Sequence, residues 1–137
     1  MRQVFLDTSL FIALYISGDV THQQALRELS RLEQTGTQFV TTDAVLTEFC
    51  NSLVKVALRK RAVAATQALL AREDVTIIRV TEPLWHKAFS LFQARSDKEW
   101  GLTDCISFEV MKDRRIKAAL TADHHFVQAG FTALLQK

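Results

Sequence analysis

Short apolar runs alternate along the chain with longer segments of helical periodicity. The runs predict buried strands at 4–6, 38–41, 75–80 and 118–121, with a last strand at 131–135. The segments between them carry apolar residues three and four positions apart. They predict helices at about 10–15, 20–34, 43–56, 62–72, 83–95, 103–113 and 123–129. The pair Gly18-Asp19 is expected to end the first helix, and Gly36 and Gly130 are expected to mark turns.

This alternation is typical of an α/β fold, in which helices cover both faces of a mostly parallel sheet and form three layers. We find no internal repeat, linker or low-complexity segment, so we predict one domain over 1–137. Right-handed crossovers would bring every strand-to-helix turn to one edge of the sheet. Ligands of such sheets bind beyond the carboxyl ends of the strands.

Four acidic residues are expected at that edge. Asp7 follows the first strand, and Asp123 follows the fourth. Glu48 lies one turn into the helix after the second strand, and Asp104 opens the helix that precedes the fourth strand. Four crowded carboxylates repel one another and cost stability unless a cation binds them.

The helix that begins near Asp104 is unusually apolar for a helix with a charged first turn. Thr103 is expected to be its N-cap, and the positive end of the helix favours the anion at Asp104. The residues that follow are too apolar for an exposed helix: Cys105, Ile106, Phe108, Val110 and Met111. The pattern therefore predicts a carboxylate at the mouth of a buried element, where it needs a partner, a proton or a metal.

Each acid also has a purely structural interpretation. Asp7, Asp104 and Asp123 suit helix N-termini, with about even odds when each is taken alone. Glu48 lies at helical spacing from Asn51, which is more typical of a solvated polar stripe. The convergence of all four acids at one edge favours a metal site over these separate interpretations.

Composition excludes several classes of protein. Hydrophobic residues make up 48% and charged residues 23% of the 137 residues, as in ordinary globular domains. No apolar run approaches the ~20 residues of a membrane span, and Asp7 interrupts the first apolar run too early for a signal peptide. Cys50 and Cys105 lie in apolar helical settings and predict free thiols in a reducing cytosol. The net charge of +2 neither requires nor excludes a nucleic-acid partner.

Four motifs in this order resemble the PIN-domain nucleases, and within them the VapC-type toxins of toxin–antitoxin pairs. The resemblance covers nearly the whole chain and is most specific in four segments: Val4-Phe5-Leu6-Asp7-Thr8-Ser9, 42–48, 102–108 and 120–126. It implies an acidic quartet of Asp7, Glu48, Asp104 and Asp123, supported by the hydroxyls of Ser9 and Thr103. Many relatives carry a further acid within a turn of the third. The nearest candidate here is Glu109, at a different spacing, so the resemblance leaves open whether one or two metals bind.

The resemblance implies a Mg²⁺- or Mn²⁺-dependent endoribonuclease that hydrolyses phosphodiester bonds. Asp7, Asp104 and Asp123 would be the metal ligands, since hard cations take carboxylate oxygens and keep several waters. Glu48 would orient a water, which the bound cation activates near neutral pH. The implied partners are an RNA substrate, a small antitoxin protein and a second copy of the chain. The implied location is the cytoplasm, without membrane attachment.

Two other α/β families are excluded by the residues. A haloacid-dehalogenase phosphatase needs an acid where Ser9 stands, and a receiver domain needs an aspartate after the strand that ends at Val80, where Thr81 stands. A housekeeping RNA-processing nuclease and a PIN module that binds without cutting are the remaining alternatives. Several basic residues could contact phosphate, although solvated faces are slightly more typical of each cluster: Arg59, Lys60, Arg61, Arg95, Lys98, Lys112, Arg114, Arg115 and Lys117. Trp100 is more typical of a core residue, and His124 and His125 receive no role.

Overall fold

The protein has five parallel strands in one sheet, as described by a computed structural model for residues 2–16 and 20–135. The predicted break at Gly18-Asp19 lies outside these residues. The strands are β1 (Gln3–Leu6), β2 (Gln38–Thr42), β3 (Val75–Ile78), β4 (Ala118–Leu120) and β5 (Thr132–Ala133). Their order in the sheet is β3-β2-β1-β4-β5, and every neighbouring pair is parallel. The predicted α/β class with a mostly parallel sheet is confirmed.

Seven helices are found in the described part of the chain. They are α1 (Thr8–Tyr15), α2 (Val20–Gln34), α3 (Asp43–Ser52), α4 (Val56–Leu70), α5 (Glu82–Ala94), α6 (Leu102–Asp113) and α7 (His124–Gln128). Helices α1 to α4 pack among themselves, whereas α6 packs mainly against α5 and also contacts α3 and α7. No helix in the described ranges is long and apolar enough to span a membrane.

The strand order reverses at β1. From β1 the chain proceeds outward to β2 and β3, and it then crosses back so that β4 pairs with the other side of β1. The crevice between β1 and β4 is therefore the switch point, which is where ligands of open parallel sheets bind. Asp7 directly follows β1, and Asp123 lies three residues after β4.

The core is built on β1 and α6. Val4, Phe5 and Leu6 are at most 2% exposed, because β1 is the central strand and is covered on both faces. All residues of α6 from Cys105 to Met111 are buried, which confirms its predicted apolar character. Phe126 of α7 packs on both elements, with ring centroids 6.4 Å from Phe5 and 5.0 Å from Phe108.

Several predicted helix boundaries were wrong. Helix α3 ends at Ser52 and not at 56, and α4 begins at Val56, which is 91% exposed, and not at 62. The N-cap of α3 is Thr42, whose hydroxyl accepts a hydrogen bond from the Val45 amide. Asp43 instead accepts a bond from the Val80 amide, at 3.0 Å. A tertiary partner thus takes the side chain of Asp43, a residue type that often caps helices.

The start of α6 also differs from the prediction. Gly101 is the N-cap, and Thr103 lies inside the first turn. The carboxylate of Asp104 takes over the capping role by accepting a hydrogen bond from the Gly101 amide, at 3.0 Å. Strands β3 and β5 are shorter than predicted, since they pair only with β2 and β4 respectively.

Candidate active site

Asp7 is the most deeply buried acid at the carboxyl edge of the sheet, with 5% of its surface exposed. The Thr121 hydroxyl, at the end of β4, donates a hydrogen bond to Asp7 Oδ2 at 2.8 Å. Ser9 Oγ donates to the same oxygen at 3.2 Å and lies 3.0 Å from Thr121 Oγ1. Two hydroxyls therefore hold one carboxylate oxygen of Asp7 at the switch point between β1 and β4.

The loop after β4 is tied to the same hydroxyls. Ser9 Oγ accepts a hydrogen bond from the Ala122 amide at 3.1 Å, and Thr121 Oγ1 accepts one from the Asp123 amide at 3.0 Å. Ser9 thus links the start of α1 to the loop that presents Asp123.

Glu48 reaches the site from α3. Its Oε1 accepts a hydrogen bond of 2.7 Å from the Thr8 hydroxyl, although Glu48 is an exposed residue. This bond joins two residues 40 positions apart and aims the carboxylate of Glu48 at the start of α1, where Asp7 lies. Glu48 is therefore part of the acidic cluster and not only a member of a solvated stripe.

Asp104 and Asp123 meet on either side of a histidine. His125 Nδ1 lies 3.5 Å from Asp104 Oδ2 and 3.2 Å from Asp123 Oδ1. It makes no well-oriented hydrogen bond to any described residue. Asp123 is the N-cap of α7, and its Oδ1 accepts a bond from the His125 amide at 2.9 Å. The short helix α7 thus places an aspartate and a histidine beside the N-terminus of α6.

The electrostatics of the cluster disfavour two of its negative charges. Burial raises the pKa of the Asp7 carboxyl from 3.8 to about 6, and the charge of Asp104 acts in the same direction. The hydrogen bonds from Thr121 and Ser9 oppose this rise. Burial also raises the pKa of Asp104, with further contributions from Asp123 and Glu48. The four acids are therefore close enough to interact, as the sequence predicted.

These donors fit a hard divalent cation. They offer carboxylate oxygens in a partly buried cleft, and a bound cation would offset the cost of the charges on Asp7 and Asp104. A second combination is Asp123, His124 and His125, whose candidate ligand atoms lie within 4.8 Å of one another. Its nitrogen donors suit transition metals better than Mg²⁺. Only Asp123 belongs to both sets.

The remaining predicted residues lie in different places. Thr103 lines a groove together with Glu48 and Trp85, so it borders the cluster from α6. Glu109 points elsewhere, since it is 7% exposed and its Oε2 lies 3.6 Å from Lys87 Nζ of α5. Five positions along a helix rotate a side chain by about 140° from Asp104, which explains this separation.

Sequence reasoning missed three residues that shape the site. Thr8 and Thr121 orient Glu48 and Asp7, and His125 lies between two aspartates. Both threonines lie within the quoted motifs, but a hydroxyl beside a strand is too common to signal a tertiary hydrogen bond. Trp100 is 6% exposed and donates a hydrogen bond to Gln128, which agrees with its predicted core position.

Comparison with known proteins is consistent with this geometry. Residues 4–132 match the PIN domain family. The chain is 30% identical over 128 residues to the 23S rRNA-specific endonuclease VapC20 of Mycobacterium tuberculosis, covering 93% of this chain and 95% of that protein. The crystal structure of M. tuberculosis VapC20, described as a Sarcin-Ricin loop cleaving toxin, superposes with a TM-score of 0.81. The superposition covers 94% of this chain and 96% of the VapC20 chain.

More distant structures share the fold. VapBC2 from Rickettsia felis, bound to a DNA fragment from its promoter, gives a TM-score of 0.72 at 12% identity, covering 96% of this chain and 97% of that one. FitAcB from Neisseria gonorrhoeae gives 0.63 at 16% identity, covering 95% and 94%. At these identities the similarity establishes the architecture alone.

Proposed function

The chain belongs to the PIN domain family, and from that membership we propose that it is an endoribonuclease and the toxin of a toxin–antitoxin pair. The observation that carries the proposal is the convergence of four acids at the switch point: Asp7, Glu48, Asp104 and Asp123. The relative that is 30% identical over most of the chain is a 23S rRNA-specific endonuclease, which supports RNA as the substrate.

We propose Mg²⁺ or Mn²⁺ as the cofactor, held by Asp7, Asp104 and Asp123. The cation would supply Lewis-acid stabilisation of the phosphate charge and would activate a water near neutral pH. Support comes from the oxygen donors and from the raised pKa of two of these acids, since a cation would favour their charged forms. The transition-metal set around His125 is the competing choice.

The side chains of the chain itself would orient the reaction. Thr121 and Ser9 hold Asp7 Oδ2, and the second carboxylate oxygen, Asp7 Oδ1, would face the cation. Thr8 holds Oε1 of Glu48, which leaves its second oxygen to accept a proton from a water that attacks the phosphodiester. Attack of the water at phosphorus forms one P–O bond and breaks the bond to the departing nucleotide oxygen, which takes up a proton to become a hydroxyl.

Cleavage of RNA by matched variants tests this proposal. Purified protein is incubated with total cellular RNA and Mn²⁺ or EDTA, and the cut ends are mapped. Asp104→Asn removes a ligand charge and should abolish cutting. Asp113→Asn removes the same charge from the far end of the same helix, where Asp113 pairs with Lys87, and should cut normally. Cutting by Asp104→Asn, or by wild type in EDTA, would exclude the mechanism.

The toxin assignment has its own support. An apolar groove lined by Leu46, Leu70 and Ile77 adjoins the groove beside Glu48, because Asp43 and other α3 residues line both. We propose that a small antitoxin protein covers the acidic cleft and this apolar groove. Expression of the chain alone should slow growth, and co-expression of a small protein encoded beside it should restore growth. Unchanged growth combined with RNA cleavage in vitro would leave a housekeeping nuclease.

Two further proposals concern assembly and location. We propose a homodimer, supported by the partly exposed aromatic face of α5 that is formed by Trp85, Phe89 and Phe92. Molar mass from light scattering tests it, and a monomer at all concentrations would exclude it. We place the protein in the cytoplasm, where an RNA substrate and two free thiols are compatible.

A further inference from the structure

A cavity of about 420 Å³ lies along α6, between α5 and α7, away from the acidic cluster. Four cationic residues line it, and its walls include the aromatic rings of Trp100, Phe108 and Phe131. We call this cavity the basic groove and define it by its cations: Arg95, Lys112, Arg115 and Lys117.

Three of these cations are not neutralised. Lys112, Arg115 and Lys117 are exposed, and none forms an ion pair with an acid among residues 2–16 and 20–135. Glu109 also lines the groove, but it is buried and lies 3.6 Å from Lys87 Nζ, and Asp113 of the same helix binds that nitrogen at 2.8 Å. The groove therefore presents positive charge that would attract a polyanion.

The backbone conformation of Arg115 is a second, independent observation that favours a binding role for this cation. Three helices end in the same motif, in which the residue after the C-cap has a positive φ. Two of them, α2 and α7, place Gly36 (φ 73°) and Gly130 (φ 96°) there. Helix α6 places Arg115 there, with φ 58°, and its amide bonds Lys112 O while the Ile116 amide bonds Met111 O.

An arginine at such a position is strained. A left-handed backbone is unfavourable for a residue with a Cβ, and glycine avoids that cost. The chain uses glycine at both other positions of this type and an arginine at the one that lines the basic groove. A strained residue kept at one site favours a role for its side chain in binding.

We propose that the basic groove binds the phosphate backbone of the substrate RNA, outside the segment that is cut. This inference rests on the proposed function. Helix α6 runs from Asp104 at the acidic edge to Arg115 in the groove, a span of about 16 Å at 1.5 Å per residue. One strand of a duplex carries a phosphate about every 3.4 Å along its axis, so the span corresponds to about five nucleotides. The groove would therefore contact an RNA whose backbone continues about five nucleotides beyond the cut.

Two triple variants test the groove. The groove variant is Lys112→Gln, Arg115→Gln and Lys117→Gln. The control is Arg59→Gln, Lys60→Gln and Arg61→Gln, which removes the same charge from α4, a helix that contacts β3 at the opposite edge of the sheet from β5. Both are combined with Asp104→Asn, so that a fluorescent stem–loop RNA stays intact while its anisotropy is measured against salt. The groove variant should bind at least tenfold more weakly than the Asp104→Asn parent. Its plot of log affinity against log salt concentration should be less steep by about 2–3, since three phosphate contacts are lost.

Cleavage of a trinucleotide separates binding from chemistry. The groove variant, with Asp104 intact, should cut this short RNA as fast as wild type, because a trinucleotide at the acidic edge cannot reach the groove. It should cut the stem–loop more slowly at low RNA concentration. Equal loss of stem–loop binding in both triple variants would mean unspecific charge effects and would overturn the proposal, as would unchanged binding in the groove variant. Either result leaves the nuclease assignment intact, provided that wild type cuts RNA.

A single substitution guards against a folding artefact. Arg115→Gly removes the side chain and relieves the positive φ, so the variant should melt no lower than wild type and still bind the stem–loop several-fold more weakly. A variant that is as stable as wild type and binds RNA equally well would exclude a role for Arg115. If the groove variant binds RNA normally but no longer binds an acidic peptide that wild type binds, the groove serves a protein partner and the RNA proposal is overturned.

Discussion

Replacing Asp7 by asparagine should stabilise the metal-free protein at neutral pH and not at acidic pH. The Asp7 carboxyl is almost completely buried, and burial raises its pKa from 3.8 to about 6. The folded state therefore holds this proton more tightly than the unfolded state does. The penalty is absent well below pH 3.8, grows between pH 4 and 6, and is complete above the folded pKa.

The size of the penalty follows from the shift. At 1.36 kcal/mol per pKa unit, a rise from 3.8 to about 6 corresponds to about 3 kcal/mol. The asparagine in the Asp7→Asn variant carries no charge, so the free energy of unfolding of the variant, relative to wild type, should rise by about 2.5 kcal/mol between pH 4 and pH 7.5. Asparagine retains one oxygen for Thr121 and Ser9, and any change in those bonds shifts the difference equally at all pH values.

Urea unfolding in EDTA at several pH values measures this difference. A slope of about 1–3 kcal/mol per molar urea turns this difference of about 2.5 kcal/mol into a shift of about 0.8–2.5 M in the midpoint. Asp97→Asn is the control, because Arg95 holds the pKa of Asp97 down to about 2. That variant should lose stability relative to wild type as pH rises from 2 towards 4, and it should show no gain at neutral pH.

Refutation would take a simple form. A difference between Asp7→Asn and wild type that stays constant from pH 4 to pH 7.5 would mean that the Asp7 carboxylate is not desolvated in the folded protein. Addition of Mg²⁺ should stabilise wild type by about 2.7 kcal/mol at one hundred times its dissociation constant. Stabilisation of Asp7→Asn by the same amount would mean that Asp7 is not a ligand.

Three further outcomes are expected. Asp123→Asn, in EDTA at pH 7, should melt at or above wild type, because asparagine caps helices as well as aspartate and relieves repulsion with Asp104; melting far below wild type would make Asp123 a structural cap. Thr42→Ala should lose about 1 kcal/mol in urea unfolding through the lost N-cap of α3, and Thr42→Ser should restore most of it. Phe126→Ala should lose about 3–5 kcal/mol, since its fully buried ring joins β1 and α6; a loss below 1 kcal/mol would contradict that packing.

The local sequence pattern was sufficient to predict the α/β class and the placement of the four acids at one edge of the sheet. The apolar run of β1 and the helical periodicity of α6 reflect burial, which local sequence records directly. Once parallel strands with right-handed crossovers are inferred, the positions of Asp7 and Asp123 after their strands bring them to one edge.

Tertiary structure alone decided how the acids are held. Thr121 and Asp7 are 114 positions apart, and Thr8 and Glu48 are 40 apart, so no local pattern could pair them. The same holds for His125 between Asp104 and Asp123. Hydrogen bonds of this kind depend on the register of strands and on helix rotation, which composition and periodicity do not specify.

The wrong predictions have the same origin. Thr103 and Asp43 are good capping residues by type, yet Gly101 and Thr42 are the N-caps, because the Val80 amide takes Asp43 and Asp104 reaches back to the Gly101 amide. The sequence shows the cations of the basic groove, but it shows neither that they lack ion-pair partners nor that the backbone at Arg115 is strained. Propensity describes a residue by itself, whereas capping, ion pairing and backbone strain depend on which neighbours the completed fold provides.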